Sequence, residues 1–297
     1  MAYTQVDLSR LVPPDVIEPL DFEAILADMK DTVARVYPQM APVLALESEP
    51  AVKVLEVCAT FILMMRARVN DAARAVMLAY ATGADLDHIG AMFGVERKTY
   101  LPATETSPAL VETDEDLRYR VQLSLEGLST AGPRAAYEFH ALSASSTIKD
   151  VFVAGPDTPG IVVPPGTVRV FVLTRSSSGV APAEVISAVV AALNAEKVRP
   201  LCDTVEVASA AIRPFDVTAT LIVGEGADAA VETEARDALA DYLAATHRIG
   251  ATVARSGILA ALHRDGVVRV ILSSPAADIL PAANEAPFAT GISLTVE

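Results

Sequence analysis

Tryptophan is missing from the 297 residues, and aromatic side chains make up only 5% of them. That leaves no basis for a stacking platform that would hold sugars or unstacked bases. Basic residues are also scarce: 23 Lys and Arg face 38 Asp and Glu, a formal charge of −15. Nucleic-acid affinity comes largely from cations that release counterions from phosphates, so no nucleic-acid partner is expected. Although 52% of the residues are apolar, no uninterrupted apolar run approaches the roughly 18 to 20 residues that cross a bilayer. A soluble chain without a membrane partner is expected. The first residues, MAYTQVDLSRL, show neither the basic segment nor the apolar core of a secretory signal. Folding in a reducing cytoplasm is therefore expected, with Cys58 and Cys202 as free thiols.

Proline and periodicity organise what is present. Pro13, Pro14 and Pro19 precede any periodic pattern, and each removes a backbone donor, so residues 1–20 read as an extended arm. From Asp21, a plausible N-cap, Phe22, Ile25, Leu26, Met29 and Val33 trace one helical face. A second helix is expected from near Ser48, with Pro50 in its first turn, to Tyr80, where Gly83 supplies a left-handed stop. It would span roughly 50 Å. One seam runs through Val52, Leu55, Ala59, Ile62, Arg66, Val69, Ala73, Val76 and Tyr80. A second runs through Val54, Cys58, Phe61, Met65, Arg68, Ala72 and Ala79. The stretch VCATFILMM is apolar on nearly every side and must be covered from more than one direction. Pattern alone leaves open whether its own chain or other subunits cover it.

Residues 98–113 are polar, carry two prolines and read as a linker. A helix capped by Thr113 follows, carrying Leu117, Val121, Leu125 and Leu128, and Pro133 opens the next. From Lys149 the period changes to two, and strands alternate with helices, one of them capped by Ser256. The series AAYEFHALSASSTIKDVFVAGP then TVRVFVL, and SGILAALHRDGVVRVILSSP then GISLTV, share one order: helix, strand, proline loop, strand. The second half is thus expected to repeat the architecture of the first.

Candidate chemistry is sparse. In YATGADLDHIGAMFGVER, Asp85 sits where an N-cap belongs, Asp87 lies in the first turn, and His88 is a packed or partly exposed histidine. Adjacent helical positions point about 100° apart, whereas a metal needs three or four convergent ligands. His140 and His263 occupy matching places in the two similar series, where a packing role is favoured over a paired site. His247 ends a helix, where positive charge suits the dipole. VGEGADAA, residues 223–230, has a Gly-x-Gly between strand and helix but no Walker Lys, and Glu225 would repel a phosphate. The acids Glu112, Asp114, Glu115 and Asp116 lack the Gly and the distal Glu of a twelve-residue calcium loop and read as a solvated helix start. SSSG at 176–179 lacks the context of a nucleophile elbow. No catalytic, cofactor-binding or metal-binding residue is assigned.

The segments PPDVIEPLDFEAIL, RVNDAARAVMLAYATGADLDHIGAMFGVER, DEDLRYRVQLSLEGLSTAGPRAAYEFHALSAS and VRPLCDTVEV resemble the J-like baseplate wedge proteins of contractile phage tails and tailocins. Cys202 stands where a polar residue such as threonine is expected. The resemblance covers essentially the whole chain. It implies an α+β protein, with an N-terminal helical region containing a long bundle helix and two mixed α/β modules after it. The divisions are 1–20 (arm), 21–97 (core-bundle region), 98–113 (linker), 114–212 (helical connector and first module) and 213–297 (second module). It also implies a structural role without enzymatic activity or cofactor, in the tail baseplate of a virion assembled in the bacterial cytoplasm. The implied partners are a second copy of the chain, an I-like wedge protein and a W-like sheath initiator. Val52, Leu55, Ile62, Val69, Val76, Phe61 and Met65 are then the candidate partner-interface residues. The contrasting reading is a soluble α/β hydrolase or nucleotide-binding enzyme.

Overall fold

The computed structural model describes residues 7–12, 14–104, 107–129, 131–176, 178–224 and 229–297. They fall into two compact units. One holds the described residues from 7 through Arg97 together with Glu112–Val121; the other holds those of 98–111 and 122–297. The fold is α+β, with helices first and mixed sheets after them.

In the first unit, helix α1 (Phe22–Val36) starts where Asp21 Oδ1 accepts from the Ala24 N–H at 3.0 Å. After the short α2 (Ala41–Leu44), helix α3 (Pro50–Ala75) begins on its proline. Ile25 and Leu26 of α1 pack on Ala59 of α3, with Phe22, Met29, Leu55, Ile62 and Leu63 around them. The arm is tied to the same helix. Asn70 is buried, its Nδ2 donating to Glu18 O at 2.8 Å and its Oδ1 accepting from Glu18 N at 3.0 Å. One amide side chain thereby satisfies both backbone groups of a residue far away in sequence, as a strand partner would. Tyr80 Oη donates to Leu11 O at 3.0 Å.

α3 ends at Ala75, earlier than the periodicity predicts, and spans about 39 Å. Arg118 of α5 (Asp114–Ser124) holds the turn that follows. Its guanidinium donates to Leu78 O and Ala81 O, both at 2.7 Å, and so satisfies carbonyls released by the turn at 77–81. Helix α4 (Gly83–Met92) follows. Leu86, Val95, Leu117 and Val121 are almost completely buried. A Cβ at Gly90 would stand 2.7 Å from Val95 O, so this glycine is a close-approach site. Leu125 and Leu128, expected on the apolar face of α5, lie beyond its end and are exposed.

In the second unit, residues 98–111 are more than a linker. Strands β1 (Thr99–Leu101) and β2 (Leu110–Val111) pair antiparallel. Lys98 Nζ donates to Leu142 O and Ser145 O at the carbonyl end of α6 (Arg134–Ala144), and Arg175 stacks 4.2 Å over the Tyr100 ring. The first sheet comprises β3 (Ile148–Ala154), β4 (Thr167–Thr174) and β5 (Thr204–Ser209), with α7 (Ala183–Leu193) between the last two. β4 is central, antiparallel to β3 and parallel to β5. The second sheet comprises β6 (Ala211–Val223), β7 (Val267–Ser274) and β8 (Glu285–Val296), with α8 (Ala229–Thr246) and α9 (Arg255–Leu262). Val217, Ala219 and Leu221 of β6 pack with Ala235, Leu239, Ile258 and Leu262 of the helices.

The two series share an order of elements but differ in topology. β3 and β4 pair directly, whereas β6 lies between β7 and β8. α9 also departs from expectation at its start: Ala254 is the N-cap, and Asp278 Oδ1 accepts from Arg255 N at 2.8 Å in place of Ser256. The Gly-x-Gly stretch depends on residues 225–228, which lie outside the described residues, as do Pro13 of the arm and Ser177 of the SSSG turn.

Glu112 is not a solvated helix start. It is buried against Arg120 in a two-pronged ion pair, with both contacts at 2.7 Å, and Arg120 also donates to Glu96 O. Removing one partner from such a pair strands the other charge. Glu112→Ala is expected to lower unfolding free energy by about 3 to 5 kcal/mol in urea titrations, whereas Glu112→Leu with Arg120→Met stays within about 2 kcal/mol of the parent.

Candidate partner interface

α3 has two unlike faces. Val52 and Ala59 are fully buried, and Leu55 and Ile62 are half-buried beneath α1. On the other side Val54, Val57, Phe61, Met64, Met65, Val69 and Val76 are all more than half exposed, Phe61 at 62% and Met65 at 69%. Steps of three and four from Val54 to Val69, and one of seven to the C-cap residue Val76, place them on one face of the helix. The structure therefore divides the candidate residues. Phe61, Met65, Val69 and Val76 belong to the exposed stripe. Val52 does not, because its own unit encloses it, and Leu55 and Ile62 face α1. Covering a large side chain of this kind is worth roughly 1.5 to 3 kcal/mol, so the stripe is a costly surface to leave in water.

The acidic cluster at the end of this region is organised by Arg97, which lay outside the cluster as read from sequence. Arg97 Nε contacts Asp87 Oδ1 and Arg97 Nη2 contacts Asp114 Oδ1, each at 2.6 Å. Arg97 also donates to Glu112 O and Gly83 O. Asp114 Oδ2 accepts from Gly83 N at 3.1 Å and so caps α4 from a distance. Thr82 is the N-cap residue of α4 and makes no side-chain cap; Gly83, at φ +53°, is its first residue. Asp85 and His88 are exposed. Burial alone would raise the Asp114 pKa, but the Gly83 N–H and the Arg97 guanidinium hold it below the ordinary carboxylate range.

The histidines have separate surroundings. His140 Nε2 lies 3.1 Å from Gly127 O and its ring meets Phe139 edge-on, whereas His263 is exposed beyond α9. His247 directly follows α8 (Ala229–Thr246), but burial pushes its pKa below the usual imidazole range, the Lys149 charge acts in the same direction, and the Pro287 carbonyl opposes both. Cys58 and Cys202 are exposed thiols. Among the described residues, no group of three His, Cys, Asp or Glu converges as a metal would require, and no helix is long and apolar enough to cross a membrane.

Comparison with known families places this stripe. Residues 47–104, which include all of α3 and α4, match the Baseplate J-like N-terminal domain. Residues 129–209 match the Baseplate J-like central domain, and 215–295 match the Baseplate J-like protein C-terminal domain. The chain belongs to the baseplate J-like family. Baseplate protein J of Escherichia phage P2 is 44% identical over 295 residues, covering 96% of this chain and 95% of its own length. The exposed stripe lies wholly within the N-terminal family domain. α1, which covers the opposite face, precedes that domain's matched residues.

Two outcomes test this geometry. Phe61→Glu and Met65→Glu are expected to change the urea unfolding free energy of the isolated chain by less than about 0.5 kcal/mol. Ala59→Asp, on the covered face, should cost more than about 3 kcal/mol. For Asp114 the depressed pKa means that its contribution is present above the ordinary value of 3.8 and is lost as pH falls through the lower folded value. Acid titration followed by circular dichroism should therefore show a shallower stability loss below pH 3.8 in Asp114→Asn than in the parent.

Proposed function

We propose that this chain is a non-enzymatic structural wedge component of a contractile tail baseplate, in a phage or a tailocin. The observation that carries the reading is the exposed stripe of α3, inside a chain whose family consists of baseplate proteins. In this reading the stripe closes a helical bundle with a second copy of the chain and an I-like wedge protein, next to a W-like sheath initiator. The C-terminal modules supply ring contacts between neighbouring wedges. Assembly takes place in the bacterial cytoplasm, and the virion tail baseplate is the destination.

The proposed mechanism is conformational. Bundle contacts persist because they bury a long apolar stripe, while ring contacts are weak enough to rearrange when the tail contracts. No step requires a cofactor, and the role is one of holding and releasing neighbours.

Purification tests the reading. The chain alone should self-associate and bind a hydrophobic dye, and co-expression with an I-like protein should yield a monodisperse complex with two copies of this chain. The combined Phe61→Glu, Met65→Glu and Val69→Glu substitutions should abolish that complex while leaving the chain folded. A lone chain that stays monomeric, or a complex indifferent to the triple substitution, would overturn the assignment.

A further inference from the structure

The two sheet modules of the second unit meet along a seam with a distinctive charge arrangement. β3 carries an irregularity between Ile148 and Asp150, and the consecutive side chains Lys149 and Asp150 both reach the second module. Lys149 Nζ donates to Ala244 O at 2.8 Å, near the carbonyl end of α8, where a cation is favoured. Asp150 Oδ2 accepts from Ile249 N at 2.8 Å. Ile249 packs both with Ala154, Val163 and Phe171 and with Leu173, Ala210 and Ala286. It is the apolar bolt of the seam.

His247 sits beside that bolt. Its Nδ1 lies 2.6 Å from Pro287 O, so Nδ1–H donates and the neutral ring leaves a bare lone pair on Nε2. Among the described residues, Nε2 is buried without a hydrogen-bond partner. A Cβ at Gly179 would stand 2.8 Å from it, so the backbone after β4 closes directly over that atom. Phe288 covers the ring at 5.5 Å. A cavity of about 290 Å³ adjoins the site, lined by Lys149, Phe215, Leu243, His247 and Phe288, and gives the ring somewhere to move.

We infer that His247 is an acid-sensitive latch between the two sheet modules, closed when its ring is neutral and released when Nε2 takes a proton. Protonation would place an N–H at a buried position with no acceptor among the described residues, beside the like charge of Lys149. Burial accounts first for the direction, and the Lys149 charge of β3 adds to it. The other charged residues close by in the chain are Asp150 of β3, which is engaged by Ile249, and Arg248, next to His247 beyond α8. Gly179 and Val180, and the stretch Pro287, Phe288, Ala289, contribute no titratable side chain. The depressed His247 pKa means that the closed seam binds fewer protons than the open one, so closure is favoured above the ordinary imidazole value and lost as pH falls through the folded one. Asp150 acts with the opposite sign: burial pushes its pKa up, against the Ile249 N–H and the Arg248 charge, so acidification through its range favours closure. The two residues are thus separable by the sign of the pH response.

The test uses the full chain. Amide hydrogen exchange, corrected for intrinsic rates, is followed for Ile249 in the seam and Leu221 in β6. Between about pH 7.5 and 5.5, protection of Ile249 should fall about tenfold while that of Leu221 is retained. His247→Phe, which keeps a ring but cannot titrate, should remove the fall, and Asp150→Asn should leave it in place. Proton NMR of the parent should show His247 titrating below 6.5, with a higher midpoint in Lys149→Met. A flat Ile249 profile in the parent, an equal fall in His247→Phe, or a His247 midpoint at or above 6.5 would overturn the latch; the NMR reading holds even if the phenylalanine variant does not fold.

Discussion

Helix α3 is apolar around more of its circumference than one antiparallel neighbour can cover. α1 and the strapped arm take one side, through Ile25, Leu26 and the Asn70 clamp on Glu18. The chain within this unit leaves the stripe from Val54 to Val76 in water. Hydrophobic burial has no direction of its own, so such a stripe is a demand for cover that any suitable helix can meet. The rest of the first unit holds that stripe at a fixed length and orientation. Arg118 holds the turn after α3, and Arg97 and Asp114 hold the start of α4.

Those arginines also mark the limit of what a single sequence discloses. The period of three and four was sufficient to place α1 and the start of α3, because an amphipathic face is a local property, but it carried the second helix on to Tyr80, past its end at Ala75. The same period could not divide α3 into its covered and open faces. Ile62 and Phe61 are both apolar, and the position of α1 separates them. The resemblance carried by ATGADLDHIG and DEDLR pointed to the family correctly, yet it did not say which side chains remain free.

Caps and turns divide in the same way. Asp21 caps α1 and Thr113 accepts from Asp116 N, both within three residues, and both were legible. α4 and α9 instead take their caps from Asp114 and Asp278, distant in the chain, so the nearby Asp85 and Ser256 were misleading. Glu112 was hidden for a related reason. An acid followed by three more acids reads as solvated until Arg120, two turns along the next helix, is seen to face it. The apparent repeat failed at the level of topology because element order does not fix which strand is inserted between which.

That insertion bears on how the second sheet is made. β6 is the central strand, and its parallel neighbour β8 emerges from the ribosome after every other strand of the sheet. Until then β6 can pair only with β7, and one whole edge of it faces the nascent chain's surroundings. Premature termination between the end of β6 and Glu285 would therefore leave an open strand edge on the released polypeptide, suited to capture by any extended segment that passes.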